Sequence, residues 1–158
     1  MPRIHLTTFI AAPAPLVFDL SRSVDLHKVS MEPFREEAVA GTRFGLMQAQ
    51  DTITYKARHL LRNRVWRMKI TEMSRPGHFT GEQVQGALRE LRHAHYFKPC
   101  DNGTIMIDLV DYRLPYGWLG RLLDTLFLRR YLARILELRI RTIKEFAESG
   151  RWRSLLQQ

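Results

Sequence analysis

Residues 117–149 read GWLGRLLDTLFLRRYLARILELRIRTIKEFAES, and they follow a long stretch, residues 34–113, in which strand patterns succeed one another almost without interruption. Leu128, Leu132, Ile135 with Leu136, Ile140, Ile143 and Ala147 recur at spacings of three and four, which is the stripe of a helix with one buried face. Glu137 with Arg141, and Arg141 with Glu145, stand four apart on the opposite side as candidate ion pairs, and Gly150 is placed to stop the helix. Strands first and one long helix last is an α+β order. A sheet of that length cannot cover its apolar face with turns, so the arrangement predicted is a curved sheet wrapped around the terminal helix, with a hollow between them.

Outward from the helix, the strands are read from their alternation. Residues 51–60 place Ile53, Tyr55, Ala57 and His59 on one face and Thr52, Thr54, Lys56 and Arg58 on the other; the first set is read as inward. Residues 65–74 repeat the device with Trp66, Met68 and Ile70 inward. Pro76-Gly77 marks a turn, residues 79–85 a further strand, and residues 87–98 meet residues 104–113 across Asp101-Asn102-Gly103. Asn102-Gly103-Thr104 also has the form of a glycosylation acceptor, but between two strands it reads as a tight turn using positive φ. Residues 36–40 and 3–9 add strands at either side, for about seven in all. Between the first strand and the rest, Pro13 and Pro15 open a short helix carrying Leu16, Val17 and Leu20, and Ser23 or Asp25 caps a second that Pro33 ends.

A chain of 158 residues with 45% apolar composition suits one domain, expected over residues 1–150, with a flexible tail over 151–158. The single Cys100 excludes an internal disulfide framework and a multi-cysteine zinc site, and fits a reducing, cytoplasmic setting. No stretch has the apolar run of a signal peptide or a membrane span, which predicts an unexported protein. A net charge of +9 invites a nucleic-acid or anionic-membrane reading. The arginines, however, are spread along the strands and the last helix rather than gathered in one block, so no nucleic-acid partner is expected; the helix arginines leave a weak contact with anionic membranes as a secondary reading.

The stretches Phe18-Asp19-Leu20, Ser23-Val24-Asp25-Leu26-His27, Ser30-Met31, Glu37-Ala38-Val39-Ala40-Gly41 and Ala57-Arg58-His59 resemble the bacterial SRPBCC or START-like proteins. So do His93-Ala94-His95-Tyr96-Phe97, Gly103-Thr104 with Met106 and Asp108, then Tyr112, Pro115, Gly117, Leu119-Gly120 and Arg139 with Ile143-Lys144. The resemblance spans nearly the whole chain. It implies the helix-grip fold, an antiparallel sheet around a C-terminal helix, and a cavity for a hydrophobic or amphipathic small molecule. Relatives of this kind include lipid carriers, quinone-binding proteins, plant hormone receptors and aromatic polyketide cyclases.

His59, Tyr55, Trp66, Met68, His93, His95, Met106, Asp108 and Tyr112 are the expected cavity residues. His93 and His95 stand two apart on one strand and so share a face; Met106, Asp108, Val110 and Tyr112 share another strand's parity. A cyclase-like enzyme would use such a histidine or carboxylate to move a proton, which makes His93, His95 and Asp108 the catalytic candidates should there be catalysis. Asp108 could equally pair with an arginine. A His-x-His pair supplies two metal ligands and three or four are needed; His59, Asp108 or Glu82 would have to complete a set, and the expectation is no metal and no cofactor. No Gly-x-Ser-x-Gly, phosphate loop or dinucleotide fingerprint occurs. The leading reading is a carrier of a hydrophobic or amphipathic molecule, monomeric or homodimeric, with a cyclase-like enzyme and a membrane-associated interaction protein behind it.

Overall fold

The computed structural model describes residues 2–157, the side chain of Arg121 excepted. Strand β1 (Arg3–Ile10) leads to helices α1 (Ala14–Ser21) and α2 (Val24–Ser30), and strands β2 (Glu37–Gly41), β3 (Thr52–His59), β4 (Arg62–Ser74), β5 (His78–Gln85), β6 (Glu90–Cys100) and β7 (Gly103–Arg113) follow. The helical C-terminal region comprises α3 (Gly117–Leu123), a π turn (Asp124–Leu128), α4 (Arg129–Ser149) and a last short helix, α5 (Arg153–Leu156). The seven strands form one antiparallel sheet in the order β1-β7-β6-β5-β4-β3-β2. Each of β2 to β7 is thus a neighbour of the next in sequence, and β1 adds itself to the far edge from Arg3 opposite Asp111 to Ile10 opposite Thr104. This is the curved sheet around a helix that the order of elements predicted.

Local chemistry sets the boundaries. Pro13 precedes α1 and Pro15 sits in its first turn, where a missing N–H costs nothing. The Ser23 hydroxyl accepts from the Leu26 N–H at 3.2 Å and so caps α2, settling the choice between Ser23 and Asp25; Asp25 instead accepts from the Gly45 N–H at 2.8 Å. Asn102 adopts φ 64° and Gly150 φ 75°, as the β6–β7 turn and the end of α4 require.

Four boundaries differ from the sequence reading. First, β6 starts at Glu90, because the Gln83 amide donates to the Leu88 carbonyl at 2.7 Å and draws residues 86–89 into the hairpin connection. Second, β3 and β4 are joined by two residues only, with His59 opposite Arg62, so Leu60 and Leu61 form the tip at φ 52° and 64°. Left-handed backbone at two leucines is costly, roughly 1 kcal/mol each. Third, the long helix is broken by its π turn. Tyr112, fully buried, donates its hydroxyl to Asp124 in that turn, pinning the helix entry to β7. Fourth, residues 151–157 are no loose tail: Trp152, Leu155 and Leu156 pack on the main core, while Gln158 lies outside the described residues. Glu145 pairs with Arg151 rather than Arg141, for the same reason.

The main core joins α1, α4 and the sheet. Phe18 is at its centre, edge-on to Phe79 and Phe97 with ring centroids 5.5 and 5.4 Å away. Ile140, Ile143, Phe146 and Ala147 cover it from α4. A smaller cluster of Ile4, Val110 and Tyr112 takes Leu128, Leu132 and Leu136. The helix is therefore packed through Leu128, Leu132 and Leu136 in its first half and through Ile140, Ile143, Phe146 and Ala147 in its second, and a space stays open between it and the sheet.

Candidate functional site

That space is a cavity of about 640 Å³. Its walls are Tyr55, His59, Trp66, Met68, Ile70, Phe79, Gly81, His93 and His95 from the sheet, His27 and Met31 from the α2 region, and Tyr131, Leu132, Ile135, Leu136 and Arg139 from α4. Most of this lining is apolar or aromatic. A few polar groups converge within it, the composition of a small-molecule site. A second concavity of about 730 Å³ is lined chiefly by Arg3, Glu82, Arg89, Glu90, Arg92 and Asp111, whose charges largely answer one another, as in Arg3–Asp111 at 2.7 Å and Arg92–Glu82 at 3.5 Å.

Polar groups gather in two places. In the first, Glu36 is buried between β2 and α2, bonded to His27 Nε2 through Oε1, with Oε2 3.9 Å from His59 Nε2. His59 Nδ1 lies 2.8 Å from the Tyr131 hydroxyl, and Phe34 stacks on the His59 ring at 4.9 Å. Burial lowers the pKa of both His27 and His59 and outweighs the opposing pull of Glu36. Burial thus favours the neutral imidazole of His27 in its contact with Glu36. Burial also raises Tyr55 and Tyr131, so both keep their phenolic protons.

In the second, His93 and His95 reach one carboxylate. His93 Nε2 is 2.8 Å and His95 Nδ1 2.7 Å from the same oxygen, Asp108 Oδ1, and the two imidazole centroids are 3.8 Å apart. Register explains the meeting: His95 stands directly opposite Asp108 across β6–β7, and His93 follows two residues along on the same face. Burial, then His93, pushes His95 down to about 3, so it is neutral. For Asp108 burial acts upward, but the contacts with His95 and His93 prevail and hold the carboxyl well below its usual range.

Arg139 adds a positive charge. Its Nη2 donates to the Ser21 carbonyl at 2.6 Å, and the guanidinium faces the cavity, where it bears on His27, Tyr55 and His95.

Of the residues expected to line the cavity, Tyr55, His59, Trp66, Met68, His93 and His95 do so. Met106, Asp108 and Tyr112 are not among its lining. Met106 is fully buried under α1, where the Ser21 hydroxyl lies 3.6 Å from its sulfur; Asp108 sits behind the two histidines; Tyr112 is spent on Asp124. Alternation correctly put all three on the inner face, but there Met106 and Tyr112 meet helical residues and Asp108 meets the β6 histidines rather than the cavity. Asp108 pairs with histidines and not with an arginine. His27, Glu36, Tyr131 and Arg139 were not anticipated. Two of them carried a signal: Tyr131 and Arg139 lie four residues before and after Ile135, on the apolar stripe itself.

No protein-family model matches the chain, and no curated protein matches it in sequence. Solved structures do match in fold. TTHA0849 from Thermus thermophilus superposes with a TM-score of 0.76 at 18% identity, over 94% of this chain and 99% of that one. A START superfamily protein from Mycobacterium smegmatis gives 0.70 at 11% identity, over 93% and 97%. The ginseng major latex-like protein 151 from Panax ginseng gives 0.67 at 11%, over 92% and 97%. The chain therefore shares the helix-grip fold of these proteins across nearly its whole length.

Proposed function

We propose that the protein binds and carries a hydrophobic or amphipathic small molecule in the cavity between the sheet and the C-terminal helix. The observation that carries this reading is the cavity itself: about 640 Å³, walled by aromatic and aliphatic side chains, with Arg139, His27 and His59 placed to orient a polar end. Burial of apolar surface, at roughly 25 cal/mol per Å², supplies the affinity, and the polar groups supply orientation. The kinship in fold to a START superfamily protein supports the same reading. The lone Cys100 supports a reducing, cytoplasmic setting, and among the described residues no helix is long and apolar enough to cross a membrane. Native mass spectrometry of gently purified protein, followed by solvent extraction, tests the reading. A co-purified organic molecule, or saturable one-to-one uptake of the amphipathic dye 1-anilinonaphthalene-8-sulfonate, is the expected result; neither would end it.

The cavity rim favours a carrier that loads at membranes. Tyr116, Leu123 and Leu60 line the cavity and are yet 68%, 52% and 42% exposed, Phe127 stacks on the lining residue Tyr131 at 5.9 Å, and Arg62 and Arg64 belong to the same lining. Cosedimentation with vesicles containing phosphatidylserine should fall steeply with salt; absent or salt-independent binding removes this part. The cyclase-like alternative draws on the His93–Asp108–His95 arrangement and needs turnover of a polyketide-like substrate that His95→Gln abolishes.

A further inference from the structure

We infer that His93, His95 and Asp108 form a binding site for one divalent transition-metal cation of the zinc or iron(II) class, open to the cavity. The donor atoms, two imidazole nitrogens and a carboxylate oxygen, all lie within 4.8 Å of one another. The set is the one borderline cations prefer: two histidines and one carboxylate. It arises from three strand positions held rigid by pairing, His95 opposite Asp108 with His93 beside it, rather than from flexible loops.

The details of the contact point the same way. His95 Nδ1 is 2.7 Å from Asp108 Oδ1 and yet makes no hydrogen bond, because the two atoms are not aligned for one. Asp108 Oδ2 is likewise buried and without a partner, in a residue only 2% exposed. A buried carboxylate oxygen left unpaired costs roughly 1–3 kcal/mol or more, and such an atom calls for an ion or a donor. Ligands at about 2.1 Å from a common cation, spread by 90–109°, would stand about 3.0–3.4 Å apart. The observed 2.7 and 2.8 Å, both to Oδ1, are a few tenths short of that, so opening the cluster slightly admits the cation and gives the off-line nitrogen its partner, and a carboxylate bound through both oxygens would engage the orphaned Oδ2 as well.

Three protein ligands leave at least one coordination position free, as in sites that work on a bound molecule rather than hold a fold together. Here the free side faces the cavity, since both histidines line it. A cation there would take water or an oxygen of whatever occupies the cavity. The site itself does not depend on the carrier reading.

The test uses protein stripped with EDTA and titrated calorimetrically with Zn²⁺. One equivalent is expected to bind the wild type and the His78→Gln control, and affinity is expected to fall at least about 100-fold in Asp108→Asn and in His93→Gln. His93 is the less buried partner, so its variant serves if Asp108→Asn does not fold. Co²⁺ added to the wild type is expected to give d–d absorption bands of a nitrogen- and oxygen-ligated ion, a reading that needs no variant. Absence of stoichiometric binding, retention of binding in both Asp108→Asn and His93→Gln, or its loss in His78→Gln alone would overturn the inference. Dye uptake measured in EDTA scores the carrier reading separately.

Discussion

Gly81 gives the most direct way to ask whether the cavity is where the protein works. It lies on β5 between Ile70 and His93, and it lines the cavity. A Cβ built there meets Met68 Cε at 3.7 Å and Ile70 Cδ1 at 3.8 Å, ordinary contact distances, and its φ is not in the left-handed range. Gly81→Ala should therefore fold well and gain about 0.5–1 kcal/mol from reduced freedom of the unfolded chain. Gly81→Leu pushes further carbons into the cavity and excludes about that much of a guest. At about 0.8 kcal/mol per methylene, displacing the equivalent of four costs the guest about 3 kcal/mol, or about 100-fold in Kd. The assay is a fluorescence titration with 1-anilinonaphthalene-8-sulfonate, paired with a thermal melt of each variant. A leucine variant that melts no lower than the wild type but binds at least about 100-fold more weakly places the guest at Gly81. If it binds within a few-fold of the wild type, the guest lies elsewhere and the cavity argument fails.

Further outcomes are expected. In EDTA-treated protein stability should fall as pH falls from 7 to 5: the unfolded chain protonates His95 near its ordinary value of about 6.5, while the folded one, with His95 at about 3, does not. That one proton removes about 2 kcal/mol over this range, His27 and His59 add to it in the same direction, and urea denaturation at the two pH values reads the sum; equal stability would contradict their burial. Phe18→Ala should cost about 3–5 kcal/mol in the same denaturation assay, since Phe79 and Phe97 lose their central partner. Tyr112→Phe should cost about 1–3 kcal/mol by leaving buried Asp124 without its donor, and a neutral result would mean that the π turn is not held there. Arg139→Met should weaken binding of the anionic dye at least about 10-fold and spare neutral Nile red; equal loss of both would show that Arg139 acts through packing.

The order of the elements and the face each one buries were legible in the residues alone. Period-two alternation in residues 51–60 and 65–74 put Tyr55, His59, Trp66 and Met68 on the inner face, and the three-and-four spacing after Leu128 named the buried side of the helix. Such patterns are local, because each strand or helix repeats its own geometry. Which part of the inner face meets other groups and which meets empty space is not local: Met106, Asp108 and Tyr112 alternate as faithfully as Met68, yet α1 covers Met106, the π turn takes Tyr112, and His93 and His95 stand over Asp108. Folding in three dimensions brought Glu36 to His27 and His59, turned Arg139 toward the cavity, and set Asp108 against His93 and His95. These groups lie on different elements, and only packing and cross-strand register decide their distances.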